Sequence, residues 1–214
     1  MPTMNGWVGG VLALLLSVSV PAPAREAGTA AGDSPQQVVK SASEQILAVL
    51  AERRDALRAD PEALYGAVDA ILRPRFDLVY AGRVVLGRHG RGASPEQRRR
   101  FIRAFYRSLL RSYADGLLEF TADNLRMLPF RGEEGATRAR VRTEVILNDG
   151  RVIPVDYSLR LTDEGWKAYD VTIEGISYLT NYRKEIGGLI GDRGLDAVIA
   201  ELEARSAEPG DGDG

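Results

Sequence analysis

The sequence predicts an α+β fold, in which a twisted antiparallel sheet of about four strands packs against several helices. Two observations predict it. From residue 36 to about 120, and again after 178, apolar residues recur every three or four positions, the spacing of amphipathic helices. From residue 125 to 173, apolar and polar residues alternate in runs separated by turn sequences, as in half-buried strands. The apolar faces of both kinds of element must be buried on each other.

Capping residues and prolines mark the start of the N-terminal helices. Ser34-Pro35 and Asp60-Pro61 each place a capping side chain before a proline at the first helical position. Pro74 ends the second of these helices. A third, short amphipathic helix follows and ends at Gly87.

The long central helix has the strongest local signal. Ser94-Pro95-Glu96-Gln97 reads as a capping box, and the periodic pattern after it predicts a helix to about Phe120, weakened at Gly116. One apolar stripe consists of Phe101, Phe105, Leu109 and Tyr113. A second stripe, at four-residue spacing, consists of Arg99, Arg103, Arg107 and Arg111. A solvated face is the favoured interpretation of these arginines, and a basic ridge for anionic headgroups or an acidic partner is the alternative.

The second half of the domain is predicted to be an antiparallel meander followed by two helices. The predicted strands cover residues 125–130, 138–147, 151–161 and a last strand from Trp166. Asn148-Asp149-Gly150 predicts a hairpin turn, and Pro154 predicts an edge, a bulge or a non-bonded position. Gly175 ends the last strand, and a helix begins near Tyr178.

The termini indicate an exported protein. Residues 1–24 carry no charged side chain, and an apolar run before an A-x-A-like site predicts a signal peptide cleaved near Ala24. Residues 25–35 are predicted to be a disordered lead-in, 36–205 the folded domain, and 206–214 a disordered tail. The absence of cysteine excludes disulfides, thiol catalysis and a lipoprotein anchor.

Composition and motifs give little support for catalysis. A net charge of −2 does not suit bulk binding of nucleic acid, and the single histidine, His89, lies in a Gly- and Arg-rich loop. Asp156, Asp170 and Glu174 could suggest a carboxylate pair, but their position predicts that they point away from the apolar face. We therefore expect no catalytic residues, no metal site and no cofactor. The alternative is a cone-shaped α+β isomerase or dehydratase, which requires a buried Asp or Glu pointing into a pocket.

One block of sequence resembles a known family. Residues 166–183 read WKAYDVTIEGISYLTNYR. This block is similar to the MlaC family, also called the toluene-tolerance or Ttg family, of periplasmic phospholipid-binding proteins. Leu86-Gly87, the capping box at Ser94 and Val155-Asp156-Tyr157 also resemble the family pattern, so that the similarity covers about residues 36–205.

The resemblance implies a soluble periplasmic carrier with a cone-like fold and an apolar cavity. Its cargo would be phospholipid, moved between an outer-membrane lipoprotein–porin complex and an inner-membrane ABC transporter complex with an MCE-domain subunit. A hopanoid or other isoprenoid lipid is the alternative cargo within the family. Periodicity alone does not distinguish a filled core from a hollow one.

On this basis we hypothesise which residues bind the lipid. Those expected to line the cavity are Phe101, Phe105, Leu109, Val141, Val145, Val155, Tyr157, Leu159, Tyr169, Val171 and Ile173. Arg183 is the candidate for a phosphate contact at the cavity mouth, although a structural bond to backbone or to a carboxylate such as Asp170 is the favoured role.

Overall fold

The computed structural model describes residues 33–119, 121, 124–130, 132–133, 135–147 and 149–206. The predicted signal peptide (1–24), residues 25–32 of the predicted lead-in, Phe120, Asn148 of the predicted hairpin turn and residues 207–214 of the predicted tail lie outside the described residues. Within the described ranges, no helix combines the length and the apolar character needed to cross a bilayer.

Helices occupy both ends of the described chain, and strands its middle, as predicted for an α+β fold. The helices are α1 (Pro35–Ala59), α2 (Pro61–Leu72), α3 (Leu78–Leu86), α4 (Pro95–Ala114), α5 (Tyr178–Arg193) and α6 (Leu195–Arg205). The strands are β1 (Leu125–Met127), β2 (Arg138–Ile146), β3 (Val152–Thr162), β4 (Gly165–Ile173) and β5 (Ile176–Ser177).

The predicted helix boundaries rest on side-chain caps. The Ser34 and Asp60 side chains accept hydrogen bonds from backbone N–H groups in the first turns of α1 and α2. The capping box of α4 is complete, since the Ser94 hydroxyl accepts the Gln97 N–H and the Gln97 side chain accepts the Ser94 N–H. Gly87 ends α3 with a φ of 49°, which disfavours any residue with a Cβ.

The long helix is shorter than predicted, because α4 ends at Ala114. The chain continues as a 3₁₀ turn over Asp115–Glu119. Gly116 lies in this turn, and its low helix propensity agrees with the loss of regular α geometry.

The sheet is antiparallel, with the strand order β1-β2-β3-β4-β5. The prediction of an antiparallel sheet is confirmed, and β5 extends the predicted meander by one strand of two residues. A tight turn connects β4 to β5 through Glu174 (φ 50°) and Gly175 (φ 81°). Two consecutive residues with positive φ are typical of the turns whose twist matches that of paired strands.

Two irregularities shape the sheet. Ser158 lies opposite Asp170, but Leu159 lies opposite Ala168, so Tyr169 is an extra residue that forms a β-bulge in β4. Pro154 lies in β3, an interior strand rather than an edge. Its carbonyl accepts the Glu174 N–H at 3.0 Å, one residue after β4 ends. The backbone N–H that proline lacks would therefore point beyond the last hydrogen bonds between β3 and β4, where its absence costs little.

Three groups of buried side chains hold the layers together. The first joins α3, α4, α5 and α6 around Phe101 and Ile199, and the second joins α1, α2 and the end of α4 around Leu50 and Leu64. The third packs the start of α1 against one end of the sheet; it comprises Val38, Val39, Val141, Leu159 and Ala168.

The arginine stripe of α4 is not uniformly solvated. Arg99, Arg103 and Arg107 are exposed. The Arg111 side chain is only 15% exposed, pairs with Glu62 of α2 and lies over the Tyr65 ring, with its guanidinium carbon 5.1 Å from the ring centroid. The last arginine of the stripe therefore fastens α2 to α4.

Candidate functional site

A cavity of about 530 Å³ lies between the sheet and the helices, a volume typical of small-molecule sites. Its walls come from α1, α2, α3, α4, the α4–β1 connection, β1 to β4 and α5. Nearly all of the lining side chains are aliphatic or aromatic, and none of the lining residues that the structure describes is arginine or lysine. This composition suits an uncharged, apolar ligand, because a charged group would lose its hydration here without a cation to compensate.

Eight of the residues predicted to bind lipid line this cavity. They are Phe105, Leu109, Val145, Val155, Tyr157, Tyr169, Val171 and Ile173. They come from three strands and from α4, as the sequence predicted for a cavity closed by both layers.

The other three, Phe101, Val141 and Leu159, lie in packed core instead, each with no exposed surface. Val141 and Leu159 face the start of α1, whose valines fill the space above them. Phe101 stacks on Phe105 with ring centroids 5.6 Å apart, but one turn earlier in α4 it faces the helical core. The spacing of apolar residues predicted that these three side chains face inward, but this spacing does not tell whether packed side chains or a cavity lie across from them.

The exposed members of the described lining lie at and just after the C-terminal end of α4: Tyr113, which is 45% exposed, Gly116 and Thr121. We infer from their exposure that the mouth of the cavity is here. Beside them, the Asn124 side-chain amide donates to the Ile146 carbonyl at 2.6 Å and ties the α4–β1 connection to the end of β2. A ligand can therefore enter between the end of α4 and the ends of the strands.

Arg183, the candidate for a phosphate contact at the mouth, lies outside the cavity lining. Its side chain lies against Gly87, where the Cβ of any larger residue would stand 3.1 Å from the Arg183 Nε. The guanidinium thus covers the glycine that ends α3. Asp170 bonds to Ser177 and Leu179 instead, so the structural role of Arg183 stays a prediction.

Asp170 is among the residues that line the cavity, although the register of β3 and β4 places it on the opposite face of the sheet from Val171 and Ile173, the face predicted for it. One carboxylate oxygen accepts the Leu179 N–H at 2.9 Å, and the other accepts the Ser177 hydroxyl at 2.7 Å. These two bonds hold the carboxylate at the first turn of α5. There it satisfies a backbone N–H group and complements the helix dipole.

The other two candidate carboxylates lie elsewhere. Asp156 is 3.8 Å from Arg140 across the β2–β3 pair, and Glu174 is exposed in the β4–β5 turn. The arrangement of these three acids does not form a catalytic pair. In the described part of the chain, no group of three or more His, Asp and Glu side chains could hold a metal ion.

Tyrosine is the commonest polar residue among the described residues of the cavity wall. Burial raises the pKa of Tyr157 and Tyr182, and burial together with the nearby Asp69 carboxylate raises that of Tyr106. These side chains therefore stay neutral at physiological pH. The wall can hold an apolar ligand and donate hydrogen bonds, and these three tyrosines are not ionised to act as bases.

Comparison with known proteins agrees with this geometry. The family model described as MlaC protein matches residues 40–204, most of the chain. The chain belongs to the MlaC family. The resemblance found in the sequence block at residues 166–183 is thereby confirmed.

Two curated MlaC relatives are similar to this chain over most of its length. The toluene tolerance protein ttg2D of Pseudomonas putida is 32% identical over 171 residues, which cover 79% of this chain and 75% of that protein. The intermembrane phospholipid transport system binding protein MlaC of Haemophilus influenzae is 25% identical over 180 residues, 82% of this chain and 84% of that protein.

A solved structure shares the fold. It is a phospholipid-binding protein from Ralstonia solanacearum in complex with a phospholipid. The two structures superpose with a TM-score of 0.75 at 29% identity, covering 82% of this chain and 98% of the other.

Sequence reasoning missed the contribution of the N-terminal helices and of α5 to the cavity. Ile46 and Leu47 of α1, Leu72 of α2 and the α5 tyrosines Tyr178 and Tyr182 all line it. The apolar faces of α1 and α2 are visible in the sequence, but amphipathic spacing does not say whether a face meets another helix or a cavity.

Proposed function

We propose that this protein is a phospholipid carrier that holds acyl chains in the cavity between sheet and helices. The observation that carries the proposal is the apolar cavity itself, which opens at the end of α4 and has no arginine or lysine among its described lining residues. Membership in the MlaC family and the similarity to a structure holding a phospholipid support it.

The physical demand on such a carrier agrees with an enclosed site. Two acyl chains of about thirty methylenes in total would cost about 24 kcal/mol to expose to water, at about 0.8 kcal/mol per methylene. A shallow groove would leave much of that surface wet. A cavity walled mostly by apolar groups offers the chains an environment close to that of a membrane, so that transfer in either direction needs only small differences in affinity.

In the cell, the carrier would move lipid through the periplasm between the outer and inner membranes. Its proposed partners are an outer-membrane lipoprotein–porin complex and an inner-membrane ABC transporter complex with an MCE-domain subunit. The predicted signal peptide and the name of the Haemophilus influenzae relative support this placement. The enzyme alternative is not favoured, because Asp170, the carboxylate among the described lining residues, is bonded to the start of α5.

The test is to express the full chain in a Gram-negative host and to examine the purified protein by native mass spectrometry and lipid extraction. We expect a phospholipid to copurify, and the intact mass to show cleavage near Ala24. A lipid-free protein that also takes up no phospholipid from vesicles would contradict the carrier function. Recovery of a hopanoid or another isoprenoid lipid in place of phospholipid would support the alternative cargo.

A further inference from the structure

Three tyrosines meet where the cavity opens. Tyr113 comes from the last turn of α4, and Tyr178 and Tyr182 come from the first two turns of α5; all three line the cavity. The hydroxyl oxygens of Tyr113 and Tyr182 are 2.8 Å apart. The Tyr178 ring stands edge-on to that of Tyr113, with centroids 5.4 Å apart. We call these three residues the tyrosine cluster.

The cluster retains a hydrogen-bond donor after its own internal bond. When two hydroxyls bond to each other, one proton is shared between the oxygens and the other is left to donate elsewhere. Burial raises the pKa of both Tyr178 and Tyr182, so their hydroxyls keep their protons. Tyr182 also packs edge-on against Phe105, with centroids 5.3 Å apart, which fixes its ring within the cavity wall.

The position of the cluster matches one part of a diacyl lipid. If the acyl chains occupy the apolar interior, the glycerol backbone lies at the boundary between cavity and solvent. The ester carbonyls there lose water as the chains enter, and a buried acceptor without a donor is unfavourable. Tyr113 is exposed while Tyr182 is half-buried, so their joined hydroxyls stand at this boundary.

Phosphate is a poorer match than a carbonyl for the same hydroxyls. Among the described residues, no arginine or lysine lines the cavity, and Arg183 lies against Gly87 instead. An anionic phosphate is therefore better stabilised by water outside the mouth than by neutral phenols inside it. A neutral ester carbonyl needs only a donor, which the cluster has.

We infer that the tyrosine cluster donates a hydrogen bond to an ester carbonyl of the bound lipid and so makes the carrier selective for ester-linked over ether-linked chains. This inference rests on the carrier function proposed above. It assigns to Tyr113 and Tyr182 a role in specificity that packing alone would not require.

The experiment offers the purified, delipidated protein equimolar vesicles of diester and diether phosphatidylcholine with the same chains, and reads bound lipid by native mass spectrometry. Loss of one net hydrogen bond corresponds to a preference of about five- to tenfold for the diester in the wild type. Tyr113→Phe and the double variant Tyr113→Phe/Tyr182→Phe keep the rings and should reduce the preference toward one. Tyr65→Phe, outside the cavity lining, is the matched control and should keep it.

The possible outcomes distinguish a failure of the ester-selectivity inference from a failure of the proposed carrier function. Equal uptake of diester and diether lipid by the wild type would overturn the inference while leaving the carrier function in place. So would a preference that survives in the folded double variant. A competition arm with diacylglycerol, which lacks the phosphate, should retain sensitivity to the Tyr→Phe changes; loss of that sensitivity would assign the contact to phosphate and contradict the ester. A wild-type protein that takes up neither phospholipid would refute the carrier function itself.

Discussion

The apolar face of the sheet has two halves with the same sequence pattern but different surroundings. At one end, Val141 and Leu159 are completely buried beneath Val38 and Val39 of α1. At the other end, Val145, Val155 and Ile173 border the cavity. Both halves alternate inward valine, leucine and isoleucine with outward polar residues. We refer to them as the packed half and the hollow half.

What separates the halves is the helix surface opposite each of them. The first turns of α1 pack directly against the packed half. Over the hollow half, the cavity separates the sheet from the apolar faces of the helices. A strand pattern thus specifies which face is apolar, and the arrangement of helices decides whether that face becomes core or cavity wall.

The largest expected effect comes from placing the same bulky side chain in each half. Val141→Trp should destabilise the protein by about 3 kcal/mol or more, because a close-packed site without exposed surface cannot take the added volume. Val171→Trp should change stability by less than about 1 kcal/mol, since its side chain borders open space, and should reduce lipid occupancy by about half or more. Urea unfolding and native mass spectrometry measure the two quantities.

Two results would break the contrast between the halves in this experiment. An equal loss of stability in both variants would mean that the hollow half is packed in solution. Full lipid occupancy in a folded Val171→Trp protein would mean that the lipid occupies another site. Both variants introduce the same residue on the same face of the sheet, so each serves as the control for the other.

A smaller difference in stability between the two halves is expected when side chains of equal size are truncated. Leu159→Ala should lower the free energy of unfolding by about 2–5 kcal/mol, because it removes buried methyl groups and leaves a void in the packed half. Ile173→Ala should cost less than about 2 kcal/mol, because its side chain already borders the cavity. Urea unfolding of the lipid-free proteins tests this order, and a larger cost for Ile173→Ala would reverse the assignment of the halves.

The smallest effect is expected on the folding stability at alkaline pH, which depends on how well the cavity wall excludes water from the Tyr182 hydroxyl. The pKa of Tyr182 is raised, first by burial and then by its bond to Tyr113. Above the ordinary tyrosine pKa of about 10, the unfolded state loses this proton while the folded state retains it. Folding stability should therefore fall as pH rises through that region, by at most about 1.4 kcal/mol per pH unit for this residue.

Tyr182→Phe should make that alkaline fall shallower, as read by urea unfolding at a series of pH values below the arginine range. Tyr80→Phe is a suitable control, because Tyr80 lies outside the cavity lining. An unchanged slope in Tyr182→Phe would indicate that water reaches its hydroxyl and that the wall is wetter than the structure implies.

Local signals in the sequence were sufficient for the boundaries of most elements. Ser34, Asp60 and Ser94 cap their helices through contacts within one turn, so neighbouring residues alone specify them. The strand β5 was missed because two residues are too short for alternation to be detected. Its presence depends on the Glu174-Gly175 turn and on pairing with β4.

The site was harder to predict than the fold, because a cavity is a property of several elements at once. Phe105 and Phe101 lie one turn apart on the same stripe, yet one borders the cavity and the other fills the helical core. The bonds of Asp170 were missed for a similar reason. They join it to Ser177 and Leu179 at the start of α5, which strand parity does not include.

The bulge at Tyr169 also changes the phase of β4. Before it, the even-numbered Trp166 and Ala168 join the packed half; after it, the odd-numbered Val171 and Ile173 face the cavity. If the same sequence ran through β4 without a bulge, uninterrupted alternation from Ala168 would turn Thr172 inward and Val171 to the opposite side. The single bulge residue thus allows one strand of nine residues to contribute to the packed core with its first part and to the cavity wall with its second part.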